Sequence, residues 1–314
     1  MRLEVRAGSR LHFGLIDPLG ARGRLYGGAG VMLEDPGLEV TATPGERLDV
    51  EGVLKDRARR FARSLSEARE SIPAAHIEVR RAPLDHVGLG TGTQLALAVA
   101  TALTELRGER PGAVELARHL SRGGRSAIGI HGFEHGGFLI DGGKKNDEEV
   151  APLIVRRPLP EAWRFVLAIP PGHRGLSGSR EAEAFRRLPR EREGLSDRLC
   201  HLLLLGALPA LAEGDVDAFG GALTEYGRRA AEFFQGVQGG VFCSSLVEEI
   251  VDFSVAEGAA AVGQSSWGPA TFALVADDDR ARHLASRLRE KFGFSPQETF
   301  VTRARNRGAS VSST

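Results

Sequence analysis

The sequence predicts an α+β fold, and three observations carry that reading. Segments of alternating apolar and polar residues, the signature of half-buried strands, cluster before residue 83 and recur late in the chain. Long helical-period segments separate them. Strands and helices are mixed without the regular β–α–β alternation that a doubly wound parallel sheet requires. The chain has 314 residues, enough for one large domain or two ordinary ones. The polar, proline-containing stretch through 157-RPLP-160 suggests halves at 1–157 and 158–304, and the polar run 305-RNRGASVSST-314 reads as a disordered tail.

Taken in order, 2-RLEVRAGSRLHFGL-15 reads as a strand that turns near Gly8-Ser9, and 37-GLEVTATPG-45 as a second strand. Residues 53–70 have helical spacing, 75-AHIEVRRAP-83 alternates, and a glycine turn then opens a helix at about 93–107. The helix 112-GAVELARHLSR-122 stops at Gly123-Gly124. In the second half a strand at 163–170 leads to a loop, 171-PGHRGLSGSRE-181, and to helices at about 181–188, 195–213, 215–233 and 243–257. Two short strands flank a loop within 258–275, and a helix at 277–292 precedes a strand at 298–304.

Apolar residues make up 42% of the chain, so a packed core is expected. The 41 basic and 41 acidic residues cancel, which argues against nucleic-acid binding by bulk charge. Cys200 and Cys243 form neither a disulfide framework nor a metal-site spacing, and Cys200 reads as a core thiol. The start lacks the apolar core of a signal peptide, and the longest apolar run, 95-LALAVATAL-103, is too short to span a bilayer. A reduced, cytoplasmic protein without membrane partners is expected.

Chemistry concentrates in glycine-rich turns. Gly88-Leu89-Gly90-Thr91-Gly92-Thr93, followed by Gln94, sits between a strand and a helix. Its N–H groups and the helix N-terminus suit an anion. The run 263-GQSSWGPATF-272 sets Gln264, Ser265, Ser266, Trp267 and Gly268 in one turn between apolar strands, a ligand contact or a plain hairpin. His173 and Arg174 lie among glycines in a third loop. Near the start stand Ser9, Arg10, His12 and Asp17, with Arg24 and Tyr26 at the mouth of 24-RLYGGAGVML-33. Arg10 and His12 share parity on a strand, so they point the same way.

The block 88-GLGTGTQLALA-98 resembles the phosphate loop of the GHMP kinase superfamily. That resemblance implies an N-terminal half like ribosomal protein S5 domain 2 and a ferredoxin-like C-terminal half. More narrowly, 9-SRLHFGLIDPLG-20, 26-YGGAGVML-33, 122-RGGRSAIGIHGFEHGGFLIDGG-143, 169-IPPGHRGLSGSREAEAF-185 and 263-GQSSWGPATFALV-275 resemble the β-ribofuranosylaminobenzene 5′-phosphate synthases of tetrahydromethanopterin biosynthesis. Two departures count against kinase chemistry. The aspartate of the kinase Ser-Gly-x-Asp motif matches His131, and the serine that helps hold Mg²⁺ matches Gly92.

The resemblance implies condensation of 5-phosphoribosyl 1-pyrophosphate (PRPP) with 4-aminobenzoate or 4-hydroxybenzoate, with loss of pyrophosphate and CO2. Mg²⁺ would accompany PRPP, with no organic cofactor, in a homodimer. The loop Gly88–Thr93 would hold pyrophosphate, and Arg10, Arg24 or Arg174 the 5′-phosphate or the carboxylate. Lys144 is a further phosphate candidate. His12, His131 or His173 would handle protons. Asp17, Thr93, Glu134 and Asp141 are metal candidates, and Trp267 would stack on the ring. An ATP-dependent kinase and a non-catalytic phosphate-binding relative are the competing readings.

Overall fold

The computed structural model describes residues 2–69, 74–146, 149–175, 178–188 and 194–313. Its strands are β1 (Leu3–Asp17), β2 (Tyr26–Pro44), β3 (Asp49–Gly52), β4 (Ala75–Arg81), β5 (Phe138–Asp141), β6 (Leu153–Arg157), β7 (Arg164–Ala168), β8 (Ala261–Gln264), β9 (Thr271–Val275), β10 (Thr299–Thr302) and β11 (Ser310–Ser313). One sheet runs β11-β1-β2-β4-β3, with β5 and β6 extending from β2. The other runs β10-β7-β9-β8 and is antiparallel throughout.

β1 and β2 pair along most of their length, with register shifts between Ala7 and Ser9 and between His12 and Gly14. The turn expected at Gly8-Ser9 is therefore a bulge in a continuous strand. A bulge moves later residues to the other face of the sheet. Val5 and Ala7 pack with the N-terminal helices, whereas Leu11 and Phe13, of the same parity, pack into the core of the second half. Arg10 and His12 are thereby left on the side of the glycine turn.

Helices Lys55–Arg69, Thr91–Glu105, Ala113–His119 and Ile128–His135 accompany the first sheet. The run 95-LALAVATAL-103 lies inside Thr91–Glu105 and is almost wholly buried, so its apolarity serves the core. The core that takes in Leu11, Phe13, Val31 and Phe138 also contains Phe165, Leu167, Phe219, Leu223 and Phe272, so it joins both halves. Helices Ser245–Ala256 and Asp278–Phe292 cover the outer face of the second sheet through Ile250, Val251, Leu284 and Leu288. Their N-termini are fixed by Ser244, which accepts from Val247 N (3.3 Å), and Asp277, which accepts from Arg280 N (2.8 Å).

Three expectations need correction. The stretch 195–213 is α-helical at both ends but π-helical over Leu202–Ala207. Pro209 lacks an N–H and crowds the carbonyl four residues back, so the turn before it widens. Leu199, Leu202, Leu203 and Leu211 point into the core while Cys200 is exposed, so Cys200 is not a core thiol. By length and apolarity this stretch could cross a membrane, but its leucine face is used inside the fold.

Nor is the tail 305–313 free. β11 pairs antiparallel with β1, and Arg305, 6% exposed, donates to Glu34 Oε2 at 2.6 Å. The side-chain anchor and the ladder together supply the ordering that the polar composition of this segment hid.

Candidate active site

A cavity of about 750 Å³ opens where β1, the glycine turn and the second half meet. Its floor is set by backbone contacts. Arg10 N–H donates to Leu89 O (2.9 Å), Ser266 N–H to His12 O (3.1 Å), and His12 N–H to Ser265 Oγ (3.0 Å). Ser265 Oγ donates in turn to Gly88 O (2.7 Å). Gly88 has φ +99°, and a Cβ there would fall 2.2 Å from Ser265 O. The two glycine-containing turns are thus packed main chain on main chain, which only glycine permits. Gly268 is held in the same way, since its Cβ would fall 2.1 Å from the Val87 carbonyl.

One side of the cavity is basic. Arg10 donates to Gly88 O at 3.4 Å, and its Nε is buried without a partner. Burial pushes its guanidinium down to about 10, opposed by the charges of Glu181 and Asp141. Arg57 is ion-paired with Asp85, and Arg125 with Glu181 at 3.0 Å. Arg122 reaches Thr93 Oγ1 at 3.4 Å. Thr91 donates to Leu84 O at 2.9 Å, closing the turn from within.

The other side is aromatic. Trp267 meets Phe234 edge to face at 4.6 Å and Phe185 at 5.8 Å, and Arg125 lies over the Phe185 ring at 4.5 Å. All four residues line the cavity, together with Gln264 and Ser266.

His12 stands on the cavity wall, with Nε2 3.1 Å from Ser126 Oγ. Ser126 Oγ is 3.4 Å from Asp141 Oδ2. Burial, and then the charge of Arg10, hold His12 well below the usual histidine range, so its ring is neutral near pH 7. Asp141 accepts from Ala127 N (2.9 Å) and Gly143 N (3.2 Å), and burial raises its carboxyl above the ordinary value.

Several expected site residues do structural work elsewhere. His131 is buried with Nε2 2.8 Å from Ala151 O, so its ring is turned into the fold and away from the cavity. His173 and Arg174 are exposed on their loop and do not line the cavity; His173 Nδ1 is 3.0 Å from Pro171 O. Arg24 donates to Gly142 O (2.7 Å) and Gly143 O (2.8 Å), bracing that turn. Lys144 is buried beneath the Tyr26 ring, 5.5 Å from its centroid, and its backbone pairs with Leu25. Gln94 donates to Gly129 O at 2.7 Å and ties two helices together, and Ser9 is fully buried.

The expected metal ligands are not gathered into one site. Asp17 accepts from Leu19 N and Gly20 N and caps a turn, while Glu134 is exposed on helix Ile128–His135. Asp141 is committed to backbone N–H groups, and Thr93 accepts from Arg122. Among the described residues no group of three His, Cys, Asp or Glu could hold an ion. The carboxylates on the cavity wall, Asp85 and Glu181, each hold an arginine. These donors do not fit a protein-built Mg²⁺ site.

Arg57, Arg122 and Arg125 escape a reading of the sequence. The block 122-RGGRSAIG-129 flanks two glycines with arginines, the one signal that could have pointed to the last two.

Residues 207–293 match the family model for the C-terminal region of GHMP kinases. In fold the chain is similar to homoserine kinase from Cytophaga hutchinsonii, with a TM-score of 0.70 and 15% identity, covering 99% of this chain and 97% of that one. It is similar also to mevalonate diphosphate decarboxylase from Enterococcus faecalis, with a TM-score of 0.68 and 17% identity, covering 100% and 99%. In sequence it is 34% identical to the β-ribofuranosylphenol 5′-phosphate synthase of Methanothermobacter thermautotrophicus, over 98% of both chains. Identity to the protein of the same name from Archaeoglobus fulgidus is 36%, over 98% of this chain and 99% of that one. A cavity built on the glycine turn of this fold accompanies the full-length likeness: the chain belongs to the β-ribofuranosylphenol 5′-phosphate synthase family.

Proposed function

We propose that the chain is a decarboxylating phosphoribosyl transferase that joins PRPP to a para-substituted benzoate. The observation that carries this reading is one cavity with arginines on one side and an aromatic wall on the other, with neutral His12 on its lining. A phosphorylated sugar and an aryl acid need those two environments side by side.

The C1–O bond to pyrophosphate breaks and leaves positive charge on the sugar. The ring carbon bearing the carboxylate forms the new C–C bond at C1. The bond to the carboxylate then breaks, CO2 leaves, and its electron pair restores the aromatic ring. Atoms and charge balance without net proton transfer. Guanidinium groups and the N–H groups of the glycine turn stabilise the departing pyrophosphate, and the aromatic wall supplies positioning. Neutral His12 can accept a hydrogen bond from the para substituent, which favours electron release into the ring. Mg²⁺ belongs, in this reading, with the pyrophosphate of the donor.

The relatives are named for a ribofuranosylphenol product, which supports 4-hydroxybenzoate as acceptor over 4-aminobenzoate. A homodimer, a cytoplasmic location and a role in tetrahydromethanopterin assembly complete the proposal. The test supplies PRPP and Mg²⁺ with each acid, carboxyl-labelled, and follows labelled CO2 and pyrophosphate. Release of both in equal amounts with one acid is expected. Release of neither with both acids overturns the reading.

A further inference from the structure

Gly92 is the second residue of helix Thr91–Glu105, and its backbone is ordinary helix without a positive φ. A helical φ is open to any residue, so something other than backbone freedom accounts for a glycine here. A Cβ at position 92 would lie 2.1 Å from Arg57 Nη2, 2.9 Å from Arg57 Cζ and 3.4 Å from Arg122 Nη2. The space where a side chain would stand is filled by guanidinium.

Asp85 anchors Arg57 through Nη1 and so leaves Nη2 over the helix start. Both guanidiniums lie near one ring, Phe61, with Cζ 5.9 and 5.8 Å from its centroid. Among the described residues Arg122 meets the Thr93 hydroxyl at hydrogen-bond range, and its Nε is buried without a partner there. Two like charges thus converge on the positive end of a 15-residue helix, inside a cavity, where Asp85 is paired with Arg57 and Glu181 with Arg125. Burial, and then the charge of Arg57, lower the basicity of Arg122, as expected where an opposing charge is in short supply. A multiply charged anion bound there would relieve both the repulsion and the missing hydrogen bond.

We propose that Arg57 and Arg122, seated by the missing side chain of Gly92, form a guanidinium clamp that grips the pyrophosphate group directly. The identity of the anion rests on the function proposed above; the clamp does not. In the kinase pattern this position carries a serine that helps hold a metal, so the clamp puts protein cations at that place.

The test is calorimetric titration of inorganic pyrophosphate, in the presence of a chelator, into the native chain and into Gly92→Ala, Arg122→Gln and Arg122→Lys. The colliding atom at position 92 is the far end of a flexible side chain, so Gly92→Ala should fold, with an unchanged or higher Tm. It should nevertheless bind pyrophosphate roughly ten-fold more weakly, the scale of one lost charge-assisted hydrogen bond. Arg122→Gln should lose as much, and Arg122→Lys should recover part of the loss. Native-like affinity in both Gly92→Ala and Arg122→Gln overturns the clamp, as does absence of binding to the native chain. With PRPP as donor, Gly92→Ala should raise the donor KM and leave the acceptor KM alone. Weakened pyrophosphate binding without turnover of either acid would sustain the clamp and sink the proposed reaction. Turnover with an unchanged donor KM in Gly92→Ala would do the reverse.

Discussion

Ser265 Oγ donates to Gly88 O at 2.7 Å, across 177 residues of sequence, while accepting the His12 N–H at 3.0 Å. One buried hydroxyl therefore fixes the glycine turn, the first strand and the late loop to one another. Ser265→Ala leaves the His12 N–H buried without that acceptor, whereas Gly88 O keeps, among the described residues, the longer contact with Arg10. Stranding buried polar groups costs roughly 1–3 kcal/mol. A matching loss in urea denaturation is expected, with a raised KM for the phosphorylated donor. Unchanged stability would mean that the three segments hold together without the hydroxyl.

His12 gives the chain a pH signature. Its folded-state pKa lies below the unfolded value near 6.5. Above that value the ring is neutral in both states and contributes nothing. As pH falls below it, the unfolded chain takes up a proton that the folded one refuses, so stability falls with a slope approaching about 1.4 kcal/mol per pH unit. Asp141 acts with opposite sign at lower pH: its folded pKa is raised, so it favours the fold as pH falls from that raised value toward the unfolded value near 3.9. His12→Asn should flatten the stability profile between about pH 6.5 and 5. An identical slope in the variant would show that other histidines carry it.

The glycine turns and the amphipathic periodicities were legible in the sequence because they are local: Gly88 to Thr93 is one run, and Arg10 and His12 differ by one strand period. Apart from Arg10, the arginine side of the cavity was not. Arg57 comes from a helix that reads as solvated, Arg122 and Arg125 come from a loop 65 and more residues later, and nearly every basic residue in the chain is arginine. Zero net charge conceals a local patch of this kind. His131 failed for a different reason. A motif match locates a residue on an element but not the direction of its ring, and Ala151 O, a carbonyl 20 residues away, determines that direction.

Trp267 is the most buried ring of an aromatic set that packs against itself. Its indole lies 4.6 Å from Phe234 and 5.8 Å from Phe185 and also lines the cavity. Trp267→Leu keeps an apolar wall but removes the edge-to-face contacts, worth roughly 0.5–1.5 kcal/mol per aromatic pair. Loss of one such contact with the acceptor ring should raise the acceptor KM by about three- to ten-fold, and pyrophosphate affinity should stay as it was. Steady-state kinetics with each benzoate varied at saturating donor reads this directly. An unchanged acceptor KM would remove the ring from the wall of the site.

Arg305 is the anchor of the C-terminal segment. Its guanidinium is nearly buried, donates to Glu34 Oε2 at 2.6 Å and to Gly308 O at 3.0 Å, and precedes the strand that covers the edge of β1. Among the described residues, Arg305→Gln leaves Glu34 with Arg307, 3.3 Å away and largely solvent-exposed. Breaking a buried pair by removing one partner costs roughly 3–5 kcal/mol, and the residual Arg307 contact puts the expected loss near the lower end. Deleting 305–314 should cost more, because the ladder Leu3–Ser313 to Arg6–Ser310 goes with it and the unpaired edge of β1 is exposed. Thermal unfolding of the two variants, together with light scattering for edge-driven association of the truncated chain, tests both expectations. A truncated chain that melts with the native one and stays monodisperse would show that these residues contribute nothing to the fold.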